Sequence, residues 1–552
     1  MNLPLSDSSS APLVEPKKVS TSRPLQAAVV LAGLYLLARL SGFLQLSLIN
    51  ALLLPKATDA YYAAFRLPDI INYLVAGGAL SVTFIPIFTQ LKQTEGERQA
   101  WRFFSTIATL MGLTLLVLIV FSYWLAGPLV RWTNPGFTVP AKKETLELTI
   151  QMTRIMLPAQ LFFYLGGMVV GVLNAHKRFG ISGMTGMVYN LVAISVGFVL
   201  WLRYDSGFAW GILVGACIGN FLLPLAAARS GPEAERIRFS PCFDWHQPAV
   251  RRFFTNAIPI MLGVSFPVVD QFIVGWFATK LPEGSLTHLY SAHRVMLAPL
   301  AIVGQAASVA AFPYLASDSA ARDWGKFSEF LRTGLRRLMF LTLPLSIILM
   351  LTAQPIINIV YRHGNFTQAA ADETATAFVF YCIGLFAWAG QQLVARGFYA
   401  LQDTLTPTII GTGLTIIFII GAWVSTAWGV LGLALATSLG AMAHFACVLL
   451  ALESKLKRRP YRSPMHIERI VGTLLRTGAA CFVMGMAGYI ADLVAVRHLA
   501  DDMTGNFLRF LSVSAVATVA FALAAHWFAI PEWAWLRGKF LRPKRPRSSP
   551  TA

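Results

Sequence analysis

The sequence predicts an all-α polytopic membrane protein of about fourteen transmembrane helices, in two pseudo-symmetric six-helix lobes plus two C-terminal helices. Three observations predict it. First, hydrophobic residues make up 56% of the 552-residue chain and charged residues only 13%. A soluble domain carries about 25% charge, so too few charges remain here to cover a water-exposed surface. Second, the apolar residues gather in runs of the ~20 residues that a bilayer crossing needs. Third, the 45 Lys+Arg against 26 Asp+Glu, a net +19, cluster between alternate runs. That is the pattern of cytoplasmic loops facing anionic headgroups. It points to membrane lipids as a partner and argues against nucleic acid.

Residues 1–24 are polar and read as a disordered cytoplasmic tail. Candidate spans at 27–54, 62–91, 99–127, 146–174, 180–203 and 207–228 form an N-lobe over 25–230. A second set at 249–279, 285–317, 327–352, 369–401, 405–426 and 429–454 forms a C-lobe over 245–454. Runs 467–493 and 506–529 form a C-terminal pair over 465–530, and 531–552 is a basic tail. An even count puts both termini on one side. The loops holding Arg98 and Arg102, Lys177 and Arg178, Arg251 and Arg252, Arg336 and Arg337, and Lys455 to Arg459 are rich in cations. The alternate loops hold few, among them Lys56, Lys142, Lys280 and Arg362. The positive-inside rule therefore places both termini in the cytoplasm.

The lobes carry an internal echo. The stretch Gly77 to Pro86 matches Gly304 to Pro313 at Gly, Ala, Ser, Val and Pro positions, and Thr58-Asp59-Ala60-Tyr61 resembles Thr287-His288-Leu289-Tyr290. The copies lie six spans apart, so both halves keep one orientation, as in transporters built from two parallel lobes. Gly77, Gly78 and Pro86 interrupt span 2, and Gly304 and Pro313 interrupt span 8. These are candidate hinges, because Pro frees a backbone carbonyl at each break. Gly211, Gly215 and Gly219 form a small-residue ridge that reads as helix packing.

Charge inside an apolar run costs on the order of 2.5–3.5 kcal/mol and persists where water reaches it. Arg39 sits deep in span 1, Arg66 and Asp69 flank Pro68 in span 2, and Arg294 lies in span 8. One reading has Arg39, Arg66 and Arg294 lining a central cavity and binding phosphate, for which the planar guanidinium fork is suited. The other pairs Arg66 with Asp69 one turn away. Asp270 in span 7 is a weak candidate for ion coupling, or else a partner for a cavity arginine. Arg154, Arg396 and Arg476 read as snorkelling residues near span ends. The five cysteines form no CxxC pair and read as small buried hydrophobes, not metal ligands. No Walker loop, HExxH, GxSxG or paired-carboxylate motif occurs. The loops are too short to fold a soluble catalytic domain, so the chain reads as a transporter and not as an enzyme.

The segments Thr58 to Pro68 and Gly78 to Pro86 resemble the span 1–2 signature of the MurJ/MviN lipid II flippases, within the multidrug/oligosaccharidyl-lipid/polysaccharide exporter superfamily. Asn134-Pro135-Gly136-Phe137, Leu173 to Phe179, Arg362 to Thr367 and Gly397 to Thr404 agree with it. The resemblance implies a bacterial inner-membrane flippase for undecaprenyl-diphosphate-linked peptidoglycan precursor, with a groove for the lipid tail on the C-terminal pair. It implies no cofactor, and drive by membrane potential or an H+ or Na+ gradient. By motif position Arg39 and Arg294 match family arginines that meet the diphosphate, and Asp59 matches the family's acid at the start of span 2. Two further family arginines fall on Gln45 and Asn72, which keep a hydrogen-bonding side chain and lose the charge. The alternative is an exporter of another undecaprenyl-linked glycan, of O-antigen or exopolysaccharide type. Nothing in the sequence specifies an oligomeric state.

The charge pattern makes a direct prediction. Alkaline phosphatase fused after residue 552 should be inactive and a fluorescent protein there should fold and emit. An active phosphatase would invert the topology.

Overall fold

With no water in hydrocarbon, each backbone amide must be satisfied within its own segment, and the helix does this alone. The computed structural model describes residues 22–76, 83–176, 178–230, 238–262 and 266–540, and these form helices and turns with no strand among them. The first half holds α1 (Ser22–Leu52), α2 (Pro55–Ala64), α3 (Arg66–Ala76), α4 (Ile85–Thr94), α5 (Glu97–Trp124) and α6 (Ala126–Thr133). It continues with α7 (Lys143–Met156), α8 (Ala159–Ala175), α9 (Phe179–Trp201), α10 (Gly207–Gly215) and α11 (Leu223–Arg229). The second half holds α12 (Pro248–Leu262), α13 (Phe266–Ala278), α14 (Ser285–Leu300), α15 (Ala306–Ala320), α16 (Trp324–Leu351) and α17 (Ala353–Tyr361). Then come α18 (Gln368–Ile383), α19 (Leu385–Ala400), α20 (Leu405–Ser425) and α21 (Gly429–Lys457). The C-terminal pair is α22 (Ile467–His498) and α23 (Met503–Trp527), followed by the short α24 (Pro531–Phe540).

Among the described residues, ten helical runs are long and apolar enough to cross a membrane, and α18 with α19, bent by 43°, makes an eleventh. The 53-residue run Leu405–Lys457 is two spans, because Gly429 at φ +64° turns the chain and α20 packs back along α21. The described parts of spans 2 and 7 are the short helices α2 to α4 and α12 with α13.

Local chemistry sets the ends. Pro55 opens α2 at a position where its missing N–H has no partner to lose. The carboxylates of Asp323 and Asp502 accept from the N–H of Lys326 (3.1 Å) and Gly505 (2.7 Å), capping α16 and α23. Of the candidate hinges, Gly77 and Gly78 lie outside the described residues. Pro86 sits in the first turn of α4 and Pro313 lies inside α15. Gly304 falls in a π-helical stretch, Ala301–Gln305, that begins two residues after Pro299. A widened turn of this kind is a place where a helix can bend.

The packing boundary between halves falls later than the polar linker at 231–244 suggests. Helix α12 belongs with the N-lobe core. Phe253 is fully buried there with its ring edge-on to Phe103, and Val250 and Ala257 join the same cluster as Phe84, Phe88 and Tyr164. The chain passes to the C-lobe between α12 and α13, inside span 7. An apolar run looks the same whichever lobe it packs on, so hydropathy is silent here. The C-terminal pair docks on α16 through Phe340, Met484, Ala517 and Phe521.

The glycine ridge of span 6 packs as expected. A Cβ on Gly211 would lie 2.3 Å from the Ala193 carbonyl oxygen of α9, and one on Gly219 would lie 2.4 Å from the Tyr189 nitrogen. Gly413, by contrast, faces open space. Gly211→Val should therefore lower stability by about 1–3 kcal/mol through overpacking, with a lower melting temperature in detergent. Gly413→Val should melt like the parent chain, and equal melting of all three would refute the contact.

Candidate functional site

One end of the space between the lobes is sealed, mostly by polar contacts. The buried Asp59 carboxylate of α2 accepts from the N–H of Gly284 (2.8 Å) and of Thr287 (2.9 Å), and from the Thr287 hydroxyl (2.7 Å) at the start of α14. Asn50 donates to the Ser291 hydroxyl at 2.8 Å and accepts from the Tyr62 hydroxyl at 2.9 Å. The Tyr62 ring stacks on Tyr290 at 5.3 Å. Gly364, at φ +56°, lies so close to α1 that a Cβ would meet the Ala51 carbonyl oxygen at 2.2 Å, and Asn365 N–H donates to that oxygen at 2.8 Å. Gly136 N–H donates to the Thr279 hydroxyl at 3.1 Å, and Lys142 donates to the Thr279 and Leu281 carbonyls. Arg362 pairs with Asp501 at 2.6 Å, tying α17 to the loop before α23. Its guanidinium, hydrogen-bonded to the carboxyl, holds Asp501 below the usual carboxylate range.

Immediately inside this seal lies a cavity of 340 Å³. Its wall takes Arg39 and Gln45 from α1, Tyr61, Tyr62 and Asp69 from α2 and α3, Tyr189 and Asn190 from α9, and Tyr290 and Arg294 from α14. Asn190 donates to the Ala38 carbonyl (2.9 Å) and the Ser41 hydroxyl (3.0 Å), which fixes α1 against α9 beside Arg39. Arg39, Asp69 and Arg294 are exposed, and none of their side chains makes a hydrogen bond or ion pair with a described residue. Two guanidinium forks without hydrogen bonds and one carboxylate within the field of Arg294 thus share a hollow walled by four tyrosines. Such forks bind phosphate oxygens two at a time.

The remaining candidates fall elsewhere. Arg66, 2% exposed, is not part of the cavity wall and lies behind Tyr290, which is. It donates to the Thr133 carbonyl (3.0 Å) and Asn134 Oδ1 (2.6 Å), and it lies against Gly275, whose Cβ would approach Nη2 within 2.2 Å. Neither cavity lining nor pairing with Asp69 describes it. Asn72 donates to Gln160 at 2.9 Å inside the N-lobe. Asp59 is in the seal. Asp270 is 2% exposed on α13, away from the cavity wall, and makes no ion pair among the described residues. The sequence reading names Asp69 only as a partner for Arg66, and does not single out the cavity tyrosines or Asn190. Asn190 and Tyr189 were the visible signal, as a polar pair inside the apolar run of span 5.

A family model described as "Lipid II flippase MurJ" matches residues 51–523. The chain is 28% identical over 471 residues to the "Lipid II flippase MurJ" of Burkholderia cenocepacia, covering 84% of this chain and 90% of that one. It is 26% identical over 522 residues to the "Probable lipid II flippase MurJ" of Bdellovibrio bacteriovorus, covering 92% and 94%. Among solved structures, it superposes on a lipid II flippase MurJ in an inward closed conformation with TM-score 0.71, at 20% identity, over 93% of this chain and all of the other. An inward-facing multidrug transporter of the MATE family gives TM-score 0.62 at 14% identity over 78% of this chain.

The seal can be tested apart from any substrate. Asp59→Ala removes three hydrogen bonds to a buried carboxylate, contacts of a class that contributes about 1.5–3 kcal/mol each. Spin labels at the exposed Val139 and Ala427, on either side of the sealed end, should move apart in this variant. An unchanged distance distribution would show that Asp59 does not hold the seal.

Proposed function

The chain belongs to the MurJ family of lipid II flippases, and from that premise we propose how it carries lipid II from the cytoplasmic to the periplasmic leaflet of the bacterial inner membrane. It works by alternating access. The single observation that carries this reading is the pair of unpartnered guanidiniums, Arg39 and Arg294, facing a cavity shut at one end. The cation-poor loops holding Lys56, Lys142, Lys280 and Arg362 lie at the shut end, so the positive-inside rule makes it periplasmic. The cavity then opens to the cytoplasm, where the substrate is made.

The lipid-linked diphosphate enters between the lobes and is held by Arg39 and Arg294, one from each lobe. Each charge-assisted contact contributes about 1.5–3 kcal/mol, enough to hold the headgroup and too little to trap it. Drawing the two arginines together moves the lobes, and the seal around Asp59 is exchanged for water. The polyprenyl tail stays in lipid along α22 and α23, whose outer faces expose Phe482, Tyr489 and Leu523. Membrane potential or an H+ or Na+ gradient drives the cycle, with Asp270 as the acid placed to take up the coupling cation. No covalent step is involved.

Charge-removing changes at Arg39 or Arg294 should abolish growth of a flippase-depleted bacterium that depends on this chain, while Arg476→Ala should support it. Full rescue by both cavity variants would refute the assignment of the site.

A further inference from the structure

Phosphate binding explains the two arginines of the cavity and leaves Asp69 unexplained. Its carboxylate faces the hollow, is exposed there, and has no hydrogen bond or ion pair with a described residue. Its neighbour in sequence, Arg66, is turned to Thr133 and Asn134 and does not neutralise it. Among the described residues, the one cation whose charge reaches Asp69 is Arg294, in the same wall, so a diphosphate placed between Arg39 and Arg294 must share that guanidinium with a carboxylate of like charge to its own. In a partly desolvated site that repulsion rivals the attraction of one guanidinium. A site selected only for anions would not carry it.

We propose that the cavity takes the diphosphate together with a divalent cation, Mg2+ in the cell, bridged between the Asp69 carboxylate and the phosphate oxygens. The proposal rests on the flippase reading of the same cavity. Mg2+ suits the geometry because it is commonly held by one or two carboxylates plus substrate phosphates and keeps several of its waters. The protein alone offers it little. No group of three His, Cys, Asp or Glu residues that could hold a metal occurs among the described residues. The cation site is therefore complete only when the phosphates are present, and metal and substrate must bind cooperatively. The 340 Å³ cavity leaves the cation room to keep water ligands. Asp69 thus separates a diphosphate that arrives with its counter-cation from a bare organic anion, which the arginines alone would accept.

The test uses the full-length protein in detergent with farnesyl diphosphate as the probe. Its affinity is measured by calorimetry in millimolar Mg2+ and in chelator, for the parent chain, Asp69→Asn, Asp69→Glu and Arg39→Ala. Mg2+ should tighten binding to the parent about tenfold, by linkage. It should have no effect on Asp69→Asn, which should bind the metal-free probe at least as well as the parent. Asp69→Glu should retain the metal effect. In the unmodified protein, Mn2+ in place of Mg2+ should give a bound paramagnetic signal only when the probe is added. Equal affinity of the parent with Mg2+ and with chelator, or an undiminished Mg2+ effect in Asp69→Asn, would overturn the bridge. Arg39-dependent binding in that same experiment would leave the flippase reading standing. Failure of the probe to bind in either buffer would overturn both.

Discussion

A charge in a bilayer must be wetted or paired, and this constraint decides where the guanidiniums of the chain go. The structure solves it in two ways a few residues apart. Arg39 and Arg294 are wetted, in a hollow between two lobes. Arg66 is buried, its Nη1 donating to both the Thr133 carbonyl and Asn134, with the bare backbone of Gly275 against Nη2. The first solution needs a cavity, and so needs two lobes that do not pack tightly along their whole length. The second needs a tight joint, and supplies one at the cavity's closed end. Seal and cavity follow from the same cost.

The two ends of the molecule are joined by different physics. At the closed end the lobes meet through hydrogen bonds, glycine-to-backbone approaches at Gly136 and Gly364, and the approach of Gly275 to the Arg66 guanidinium. Each such bond exchanges with water at a net cost of about 0.5–1.5 kcal/mol, so a seal made of several can open for a sum that bound ligand offsets. Near α12 the contact is apolar, with Phe253 and Phe103 inside one core. Opening that joint would expose aromatic surface, and water returns nothing for it. The polar end is therefore the one able to cycle, and α12 the one that stays with its lobe.

Much of this could be read from the residues. Span number and the cavity positions of Arg39 and Arg294 follow from a local rule, that charge inside an apolar run must face water. Arg66 obeyed the same rule and was misread, because its partners Thr133 and Asn134 lie 67 and 68 residues away. No local pattern reports such a partner. Asp69 was read as the mate of Arg66 from i,i+3 spacing, which places two residues on one face of a helix and says nothing of a stronger claim on one of them. The lobe boundary was hidden because α12 and α13 are both apolar. Asp501 likewise pairs with Arg362 from another loop, a partner that no local pattern reports.

Span 2 links these parts. Helix α2 ends at Ala64 and α3 begins at Arg66, with a joint at Phe65. Asp59 of the seal lies before the joint, Arg66 starts the next helix, and Asp69 of the cavity follows one turn later. A ligand that draws on Asp69 shifts the helix that carries Arg66, and Arg66 is packed on the opposite lobe at Gly275. The reverse also holds, since coupling between two sites is reciprocal: loosening the seal must change affinity in the cavity by the same factor. A continuous helix through Phe65 would transmit this as rotation of the whole span. The break separates α3 from α2, which holds Asp59 against the amides of Gly284 and Thr287, so a shift of α3 need not break the closed end at once.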